Sequence, residues 1–208
     1  MQPDFLRLLR IPRRIRMVYY IHWNRIKFRL ARIHFGTSMQ VSNKVYINIH
    51  PTATVSIGSN LTFTSGACFN PLCRNLRGSI YAAENARITI GNDVGISSAC
   101  LWSQSAISIG NHVKIGGDSI LLDTDAHSLN PILRRNPIED IMDTHSRPII
   151  IEDDVLIGTR CIILKGVTIG ARSIIGSGSI VTKNIPADCI AAGNPCRVIR
   201  YSKPIMTR

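Results

Sequence analysis

The sequence predicts an all-β solenoid, a parallel β-helix, and three observations support that fold class. An aliphatic residue recurs every six positions from Ile151 to Val181. The fifth position of each hexad in that block is small or β-branched, and glycine often follows the aliphatic residue. Charged residues make up only 18% of the chain and aromatic residues 6%, a composition that favours aliphatic strands over a helical bundle.

The repeat extends over most of the chain. From Ile151 the hexads read IEDDVL, IGTRCI, ILKGVT, IGARSI, IGSGSI and VTKNIP. The same frame occurs upstream, with a slip of one residue between its two halves, at Ile90, Ile96, Trp102, Ile109, Ile115 and Leu121. A period of six fits neither a helix nor an alternating strand. It fits a triangular coil of three hexads whose aliphatic residues point inward and whose faces are covered by the next coil. The alternative is a chance run in a β-sandwich, and two separate blocks of hexads argue against it.

The hexads stop between Leu121 and Ile151, and we predict that residues 123–149 form a long loop projecting from one corner of the coils. Long excursions from a rigid scaffold often carry function. The loop contains His127 and His145. An imidazole can take a proton from a hydroxyl near neutral pH. For each histidine the alternative is an ordinary solvated loop residue.

The segment after the last hexads reads VTKNIP at 181–186 and AAGNPCRVIR at 191–200. With the hexads and the DTDAH motif that ends at His127, it resembles the hexapeptide-repeat acyltransferases, in particular the galactoside and maltose branch of the sugar O-acetyltransferases. The resemblance implies a left-handed coil and His127 as the general base. It also implies transfer of an acetyl group from acetyl-CoA to a saccharide hydroxyl, without a metal. A homotrimer with active sites between subunits is implied as well.

The resemblance also assigns binding residues. The coenzyme A candidates are Thr159, Ser177, Thr182, Lys183, Arg197 and Arg200. Arginine can bind phosphate in a bidentate manner, and lysine adds a point charge. Glu84 and Asn85 are the acceptor-binding candidates, although a simple turn explains that pair equally well. Leu156 stands where relatives often have tryptophan, so the acyl preference is less well defined than the acyl transfer.

Positive charge is concentrated at the N-terminus. The net charge is +12, and residues 1–36 contain nine arginines and lysines against a single acid, Asp4. We predict a basic helical extension at 1–36, a β-helix at 37–186 and a coenzyme-binding tail at 187–208. The extension has an apolar stripe at helical spacing, formed by Ile15, Tyr19, Trp23, Ile26, Leu30 and Ile33. This stripe could cap the first coil, or residues 5–35 could contact an anionic membrane. Nucleic-acid binding is not expected, because no recognition motif accompanies the charge.

The cysteine spacings contain neither a Cys-x-x-Cys pair nor a zinc pattern, so we expect Cys68, Cys73, Cys100, Cys161, Cys189 and Cys196 to be reduced. That favours the cytoplasm, with peripheral contact at the inner membrane face as a further expectation. A precursor of a surface polysaccharide is the expected acceptor. Two rival functions are open. One is a metal-dependent lyase of the γ-type carbonic anhydrase kind, which would need three histidines at a subunit interface, although His112, His127 and His145 do not show that family's spacing. The other is a non-catalytic β-helix used for assembly.

Overall fold

A computed structural model describes residues 11–66 and 76–202 of the 208-residue chain. Asp4, Cys68 and Cys73, which entered the sequence predictions, lie outside these residues, as do residues 1–10 of the predicted extension and 203–208 of the predicted tail. The described part begins with helix α1 (Ile11–Leu30), which is followed by strands that wind around a common axis.

The strands form three flat faces. Face A consists of β1 (His34–Phe35), β4 (Thr54–Ile57), β7 (Arg87–Ile90), β10 (Ala106–Ile109), β13 (Ile149–Ile151) and β16 (Thr168–Ile169). Face B consists of β2 (Gln40–Ser42), β5 (Thr62–Thr64), β8 (Gly95–Ser97), β11 (Lys114–Ile115), β14 (Leu156–Ile157), β17 (Ile174–Ile175), β19 (Cys189–Ala192) and β20 (Arg197–Tyr201). Face C consists of β3 (Tyr46–Ile49), β6 (Ser79–Ala82), β9 (Cys100–Ser103), β12 (Ile120–Leu122), β15 (Ile162–Leu164) and β18 (Ile180–Val181).

The chain visits the faces in the order A, B, C, and successive coils pair in parallel, which confirms the predicted left-handed parallel β-helix. We name the corners by the faces they join: A–B, B–C and C–A. The predicted inward ladder is fully buried at Ile151, Ile157, Ile163, Ile169, Ile175 and Val181. Each of these side chains stacks on its register partner in the neighbouring coil, so the ladder forms one continuous apolar core.

One position of the predicted ladder is wrong. Trp102 points outward and is 37% exposed, whereas its neighbour Leu101 is fully buried. Four residues separate the buried side chains of Ile96 and Leu101, whereas five residues separate those of Ile157 and Ile163. The first of these turns is therefore one residue shorter. A step of one residue in a strand moves a side chain to the opposite face.

Close stacking of the coils explains the glycines at the corners. A Cβ atom on Gly158 would lie 2.6 Å from the backbone nitrogen of Ser177 in the next coil. No side chain larger than hydrogen fits at that separation, so glycine sets the coil spacing at this corner.

Helix α1 covers the open first coil, but not through the predicted stripe. Asn24 and Phe28 are the buried residues of the helix. The Asn24 side-chain amide donates to the carbonyl oxygens of Val41 and Asn43 at 2.9 and 2.8 Å. The prediction that the stripe itself forms the cap is wrong, since Ile33 is its one buried member. The others are exposed: Ile15, Tyr19, Trp23, Ile26 and Leu30.

The far end of the stack is closed differently. Strand β19 pairs in parallel with β17, so the coils continue past residue 186, and β20 then turns back antiparallel to β19. The cysteines of the described residues are free thiols: Cys100, Cys161, Cys189 and Cys196. No helix among the described residues is long and apolar enough to span a bilayer.

The interruption of the repeat is confirmed. It leaves the C–A corner after β12 and returns at β13. The excursion contains a 3-10 turn at Leu133–Arg135 and a short helix α2 at Pro137–Met142. We call residues 123–148 the corner loop.

Candidate active site

His127 lies on the surface of the corner loop, with its side chain 68% exposed. Its Nδ1 atom lies 2.7 Å from Oδ2 of Asp140 on α2. An ionised carboxylate can only accept hydrogen bonds. The Nδ1 atom therefore carries the proton that Asp140 accepts, and the lone pair of Nε2 is left available at the surface. This is the arrangement of an oriented general base.

Asp140 is held in place by the fold of the loop. Asn136 caps α2, and its side-chain oxygen accepts from the Ile138 backbone N–H at 2.9 Å. The second carboxylate oxygen of Asp140 accepts from the Ser128 backbone N–H at 2.6 Å. The hydrogen bond from His127, followed by that from Ser128, lowers the pKa of Asp140 below its ordinary value. Asp140 is therefore a stable anion beside the imidazole.

The base of the corner loop is anchored by a buried acid, Asp123. Its carboxylate accepts from the Ser103 hydroxyl at 2.7 Å and from the backbone N–H groups of Gln104 and Ser105 at 2.7 and 2.9 Å. Burial raises the pKa of Asp123, and these hydrogen bonds oppose that rise. Asp123 thus ties the first residue of the loop to the preceding coil.

Further contacts stiffen the loop around His127. Asp125 forms a largely buried ion pair with Lys165 of the next coil. The buried Ser128 hydroxyl donates to Asp143 at the end of α2. His145 is exposed, and its carbonyl oxygen accepts from the Asp125 N–H at 3.0 Å, so its backbone helps to close the loop. His127, unlike His145, has a carboxylate partner for its ring.

A groove of about 370 Å³ runs along face B across four successive coils and ends at the B–C corner. Ile96, Ile115 and Ile157 contribute to its lining, and hydroxyl groups and one cation stand along it: Thr62, Thr64, Ser97, Thr159, Ser177 and Lys114. The dimensions and the mixed lining suit an elongated ligand with a partly apolar arm. Leu156, the site of the departure from the tryptophan of relatives, also lines the groove and is 44% exposed.

The structure distributes the predicted coenzyme A residues over two regions. Thr159 and Ser177 line the groove, where the Thr159 N–H donates to the Ser177 hydroxyl at 3.2 Å. Arg197 and Arg200 are exposed on β20, at the C-terminal end of the same face. Thr182 and Lys183, however, follow β18 and stand exposed at the C–A corner. One chain therefore does not bring all six residues to a single groove.

The acceptor candidates share the corner of His127. Glu84 and Asn85 are exposed in a turn at the C–A corner, and Asn85 has a positive φ of 57°. They lie two coils below the start of the corner loop, about 10 Å away at the usual strand spacing. Gln104 is closer to the loop, because its side-chain oxygen accepts from the Thr124 hydroxyl at 3.0 Å.

Three residues of the candidate site were not predicted from the sequence: Asp140, Gln104 and Lys114. Asp140 had a signal, because an acid in the first turn of a helix that starts at Asn136-Pro137 is typical of a capped helix. Lys114 stands immediately before the inward residue Ile115, so the repeat frame itself would have placed it outward.

Histidines do not converge on a metal site within the chain. His112 lies at the A–B corner, near Asp93 at 3.8 Å, whereas His127 and His145 belong to the C–A corner. Within residues 11–66 and 76–202, no group of three or more His, Cys, Asp or Glu side chains could hold a metal ion.

Comparison with known proteins agrees with the repeat. A family model described as the hexapeptide repeat of succinyl-transferase matches residues 148–183. The chain is thus similar to hexapeptide-repeat acetyltransferases, and galactoside O-acetyltransferases are among the proteins that it resembles.

Two curated relatives are galactoside O-acetyltransferases. The protein from Lactococcus lactis is 40% identical over 100 residues, which cover 48% of this chain and 45% of the relative. The protein from Escherichia coli is 38% identical over 122 residues, which cover 58% of this chain and 57% of the relative. The chain thus spans about half the length of these curated relatives.

Solved structures are similar as well. A galactoside acetyltransferase in complex with coenzyme A is 26% identical, with a TM-score of 0.57 over 97% of this chain and 84% of that one. A hexapeptide-repeat acetyltransferase from Vibrio cholerae, complexed with acetyl coenzyme A, is 37% identical. Its TM-score is 0.50 over 57% of this chain and 61% of that one.

Proposed function

We propose that the protein transfers an acetyl group from acetyl-CoA to a hydroxyl of a saccharide. The observation that carries the proposal is the contact between His127 and Asp140, at 2.7 Å, on a loop that interrupts an otherwise regular coil. Relatives that are named as galactoside O-acetyltransferases, and related structures with bound coenzyme A or acetyl coenzyme A, support the same chemistry.

The face-B groove is the proposed site for acetyl-CoA. Leu156 would pack against the apolar part of the pantetheine arm, and Thr159 and Ser177 would hydrogen-bond its amides. Arg197 and Arg200 stand at the end of the same face and would bind the phosphates. When bound, acetyl-CoA supplies an activated thioester.

His127 performs the proton transfer. Its Nε2 atom removes the proton of the acceptor hydroxyl as that oxygen attacks the thioester carbonyl. Asp140 stabilises the imidazolium that forms. The imidazolium then returns the proton to the thiolate that leaves, and the histidine is neutral again for the next cycle. No covalent link to the protein is required, so positioning of the two substrates accounts for the remaining catalysis.

A complete site requires a second copy of the chain. In one chain, face C separates the corner loop from the face-B groove. The outward residues of face C near the loop are aliphatic and only half-buried: Ile120, Leu122, Ile162, Leu164 and Ile180. An apolar surface of this kind favours a partner. A neighbour whose face B packs there would receive His127 at the rim of its own groove, and three such contacts close a homotrimer. Thr182 and Lys183 would then reach the neighbour's groove from the same corner.

The acceptor would bind at the C–A corner, between His127 and the polar turn of Glu84 and Asn85. Gln104 lies between them and adds an amide. We propose a precursor of a surface polysaccharide as the acceptor and the cytoplasm as the location. A saccharide suits the corner because hydroxyls and amides are the partners that sugar hydroxyls require.

The test is acetyl transfer from labelled acetyl-CoA to a panel of mono- and oligosaccharides, analysed by mass spectrometry. Wild-type protein should acetylate a saccharide hydroxyl, and His127→Ala should lose this activity while coenzyme A binding remains. His145→Ala is the matched control, because it removes an exposed histidine from the same loop. Full activity in His127→Ala, or failure of the wild type to bind coenzyme A, would refute the proposal.

A further inference from the structure

Helix α1 has two apolar faces, and only one of them is covered. The covered face contains Asn24 and Phe28 and seals the first coil. The opposite face carries the exposed part of the predicted stripe. Its members range from 48% to 79% exposed and are Ile15, Tyr19, Trp23, Ile26 and Leu30. We call this surface the α1 stripe.

Cations border the α1 stripe on both sides. At 100° per residue, Arg29 lies about 40° outside one edge of the stripe and Lys27 about 40° outside the other, while Arg25 and Arg14 lie about 80° and 100° outside the edge of Arg29. The helix contains no acidic residue. Among the described residues, no carboxylate forms a salt bridge with any of these four side chains. Their positive charge is therefore not neutralised within the described chain.

A cavity of about 420 Å³ opens beside the stripe, between α1 and the first coils of face C. Tyr19, Trp23 and Tyr46 contribute aromatic rings to its wall, and three cations line it: Lys27, Lys44 and Arg77. Within the described part of the chain, no acidic side chain lines this cavity. Its chemistry suits a phosphate ester held beneath an apolar group.

We propose that the α1 stripe docks onto an anionic lipid bilayer, with a lipid phosphate in the adjoining cavity. Exposed aromatic and aliphatic side chains flanked by cations are the pattern of a helix that lies in the membrane interface. The charge of the helix complements an anionic surface. A second copy of this chain would bring an identical positive charge and is the less suitable occupant. The proposal stands apart from acetyl transfer, because none of these residues belongs to the proposed active site.

Docking through α1 has a geometric consequence for the coils. The helix covers one end of the stack, so the C–A corner with His127 would stand above the membrane surface at a height set by the intervening coils. From β1 to β12 the stack contains four coils, which corresponds to about 20 Å at the usual strand spacing. A saccharide attached to a membrane lipid could reach that height.

Flotation of the full chain with vesicles tests the proposal. Phosphatidylcholine vesicles with phosphatidylglycerol should carry the protein upward, pure phosphatidylcholine vesicles should not, and added salt should weaken the binding. Trp23→Glu should reduce the bound fraction at least tenfold, and Arg77→Ala about fivefold, as expected for one cation near an anionic surface. Ile138→Glu, which alters an exposed aliphatic residue of α2, is the matched control and should bind as the wild type does. Circular dichroism should verify that each variant is folded.

Four results would overturn the proposal. They are equal binding to neutral vesicles, unchanged binding of Trp23→Glu, displacement from vesicles by inorganic phosphate at constant ionic strength, and a smaller oligomer of Trp23→Glu in light scattering. The third result would mean that the cavity binds free phosphate rather than a lipid. The fourth would mean that the stripe is an interface between copies of the chain.

Discussion

The coil stack and the corner loop are held together by different kinds of contact. In the stack, each residue type is set by its place in a six-residue period, and the inward ladder from Ile151 to Val181 is fully buried. In the loop the period is absent, and polar contacts hold an exposed side chain, His127, against Asp140. We therefore expect stability to reside mainly in the stack and the proposed chemistry mainly in the loop, so the two regions should respond differently to substitution.

The largest expected effect is a loss of activity when His127 of the corner loop is replaced. We expect His127→Ala to lower kcat about 10²- to 10⁴-fold, the usual contribution of a general base. The melting temperature should stay within about a degree of the wild type, because the side chain is largely exposed. Steady-state kinetics together with calorimetry would measure both. A large drop in melting temperature would mean that His127 is a structural residue.

A substitution in the stack should show the reverse pattern. Ile163 is fully buried on β15 of face C, between Leu121 and Val181 of the neighbouring coils. Ile163→Ala should lower the free energy of unfolding by about 2–5 kcal/mol, through lost burial and the cavity left behind. Activity per folded molecule should change little. Urea denaturation would measure the loss, and Ile138→Ala, at an exposed site on α2, should cost almost nothing.

Asp140→Asn tests how the loop orients its histidine. The asparagine amide can donate to Nδ1 and so favour the tautomer whose Nε2 carries the proton, which cannot act as a base. We expect kcat to fall to a value between those of the wild type and His127→Ala, with KM for acetyl-CoA unchanged. Asp143→Asn on the same segment is the control, because Asp143 holds Ser128 and not the imidazole. Equal losses in both variants would point to loop folding rather than orientation.

The pH dependence follows from the lowered pKa of Asp140. A carboxyl whose pKa is lower in the folded loop stabilises that loop above its ordinary pKa, about 4. This contribution is lost only as the pH falls through the lowered value. Between about pH 5 and pH 7 the contribution of Asp140 should therefore be constant, and the stability of the loop should fall only at lower pH. Urea denaturation at a series of pH values would measure this, and Asp140→Asn should lack the loss at low pH. A loss of equal size in Asp140→Asn would contradict this assignment.

The smallest effect on kinetics is expected at the end of face B that is proposed to bind the phosphates of acetyl-CoA. Arg200 is exposed on β20. Arg200→Ala should raise KM for acetyl-CoA several-fold and leave kcat nearly unchanged, since an exposed charge contributes modestly and uniformly to binding. The effect should shrink with added salt. Arg87→Ala on face A is a matched control, because it removes an exposed arginine far from the groove.

The difference between the two regions also explains what could be predicted from the sequence. The ladder was predictable because each inward residue repeats at a fixed step. Where a turn shortened by one residue, at Ile96 to Leu101, the prediction for Trp102 failed. The helix stripe was found by its spacing, but two apolar faces compete on α1, and the spacing cannot tell which one meets the core. Only the three-dimensional structure shows that the face carrying Phe28 is the buried one.

The candidate site was predictable only in part. His127 was found because its motif resembles that of a known family. Asp140 is 13 residues away in the chain, and its contact with His127 depends on how the loop folds back. The separation of Thr182 and Lys183 from the face-B groove depends on which corner follows β18. Local motifs identify residue types, but topology determines which of them can meet in one chain.

Complementation between subunits tests most directly whether the corner loop of one copy completes the active site at the groove of another copy. Two inactive variants would be co-expressed: His127→Ala, and Ser177→Trp, which fills the groove at an exposed position. Mixed oligomers should regain a measurable part of the wild-type activity, because some interfaces combine an intact loop with an intact groove. Activity no higher than that of the separate variants, in oligomers proven to be mixed, would contradict a site shared between subunits.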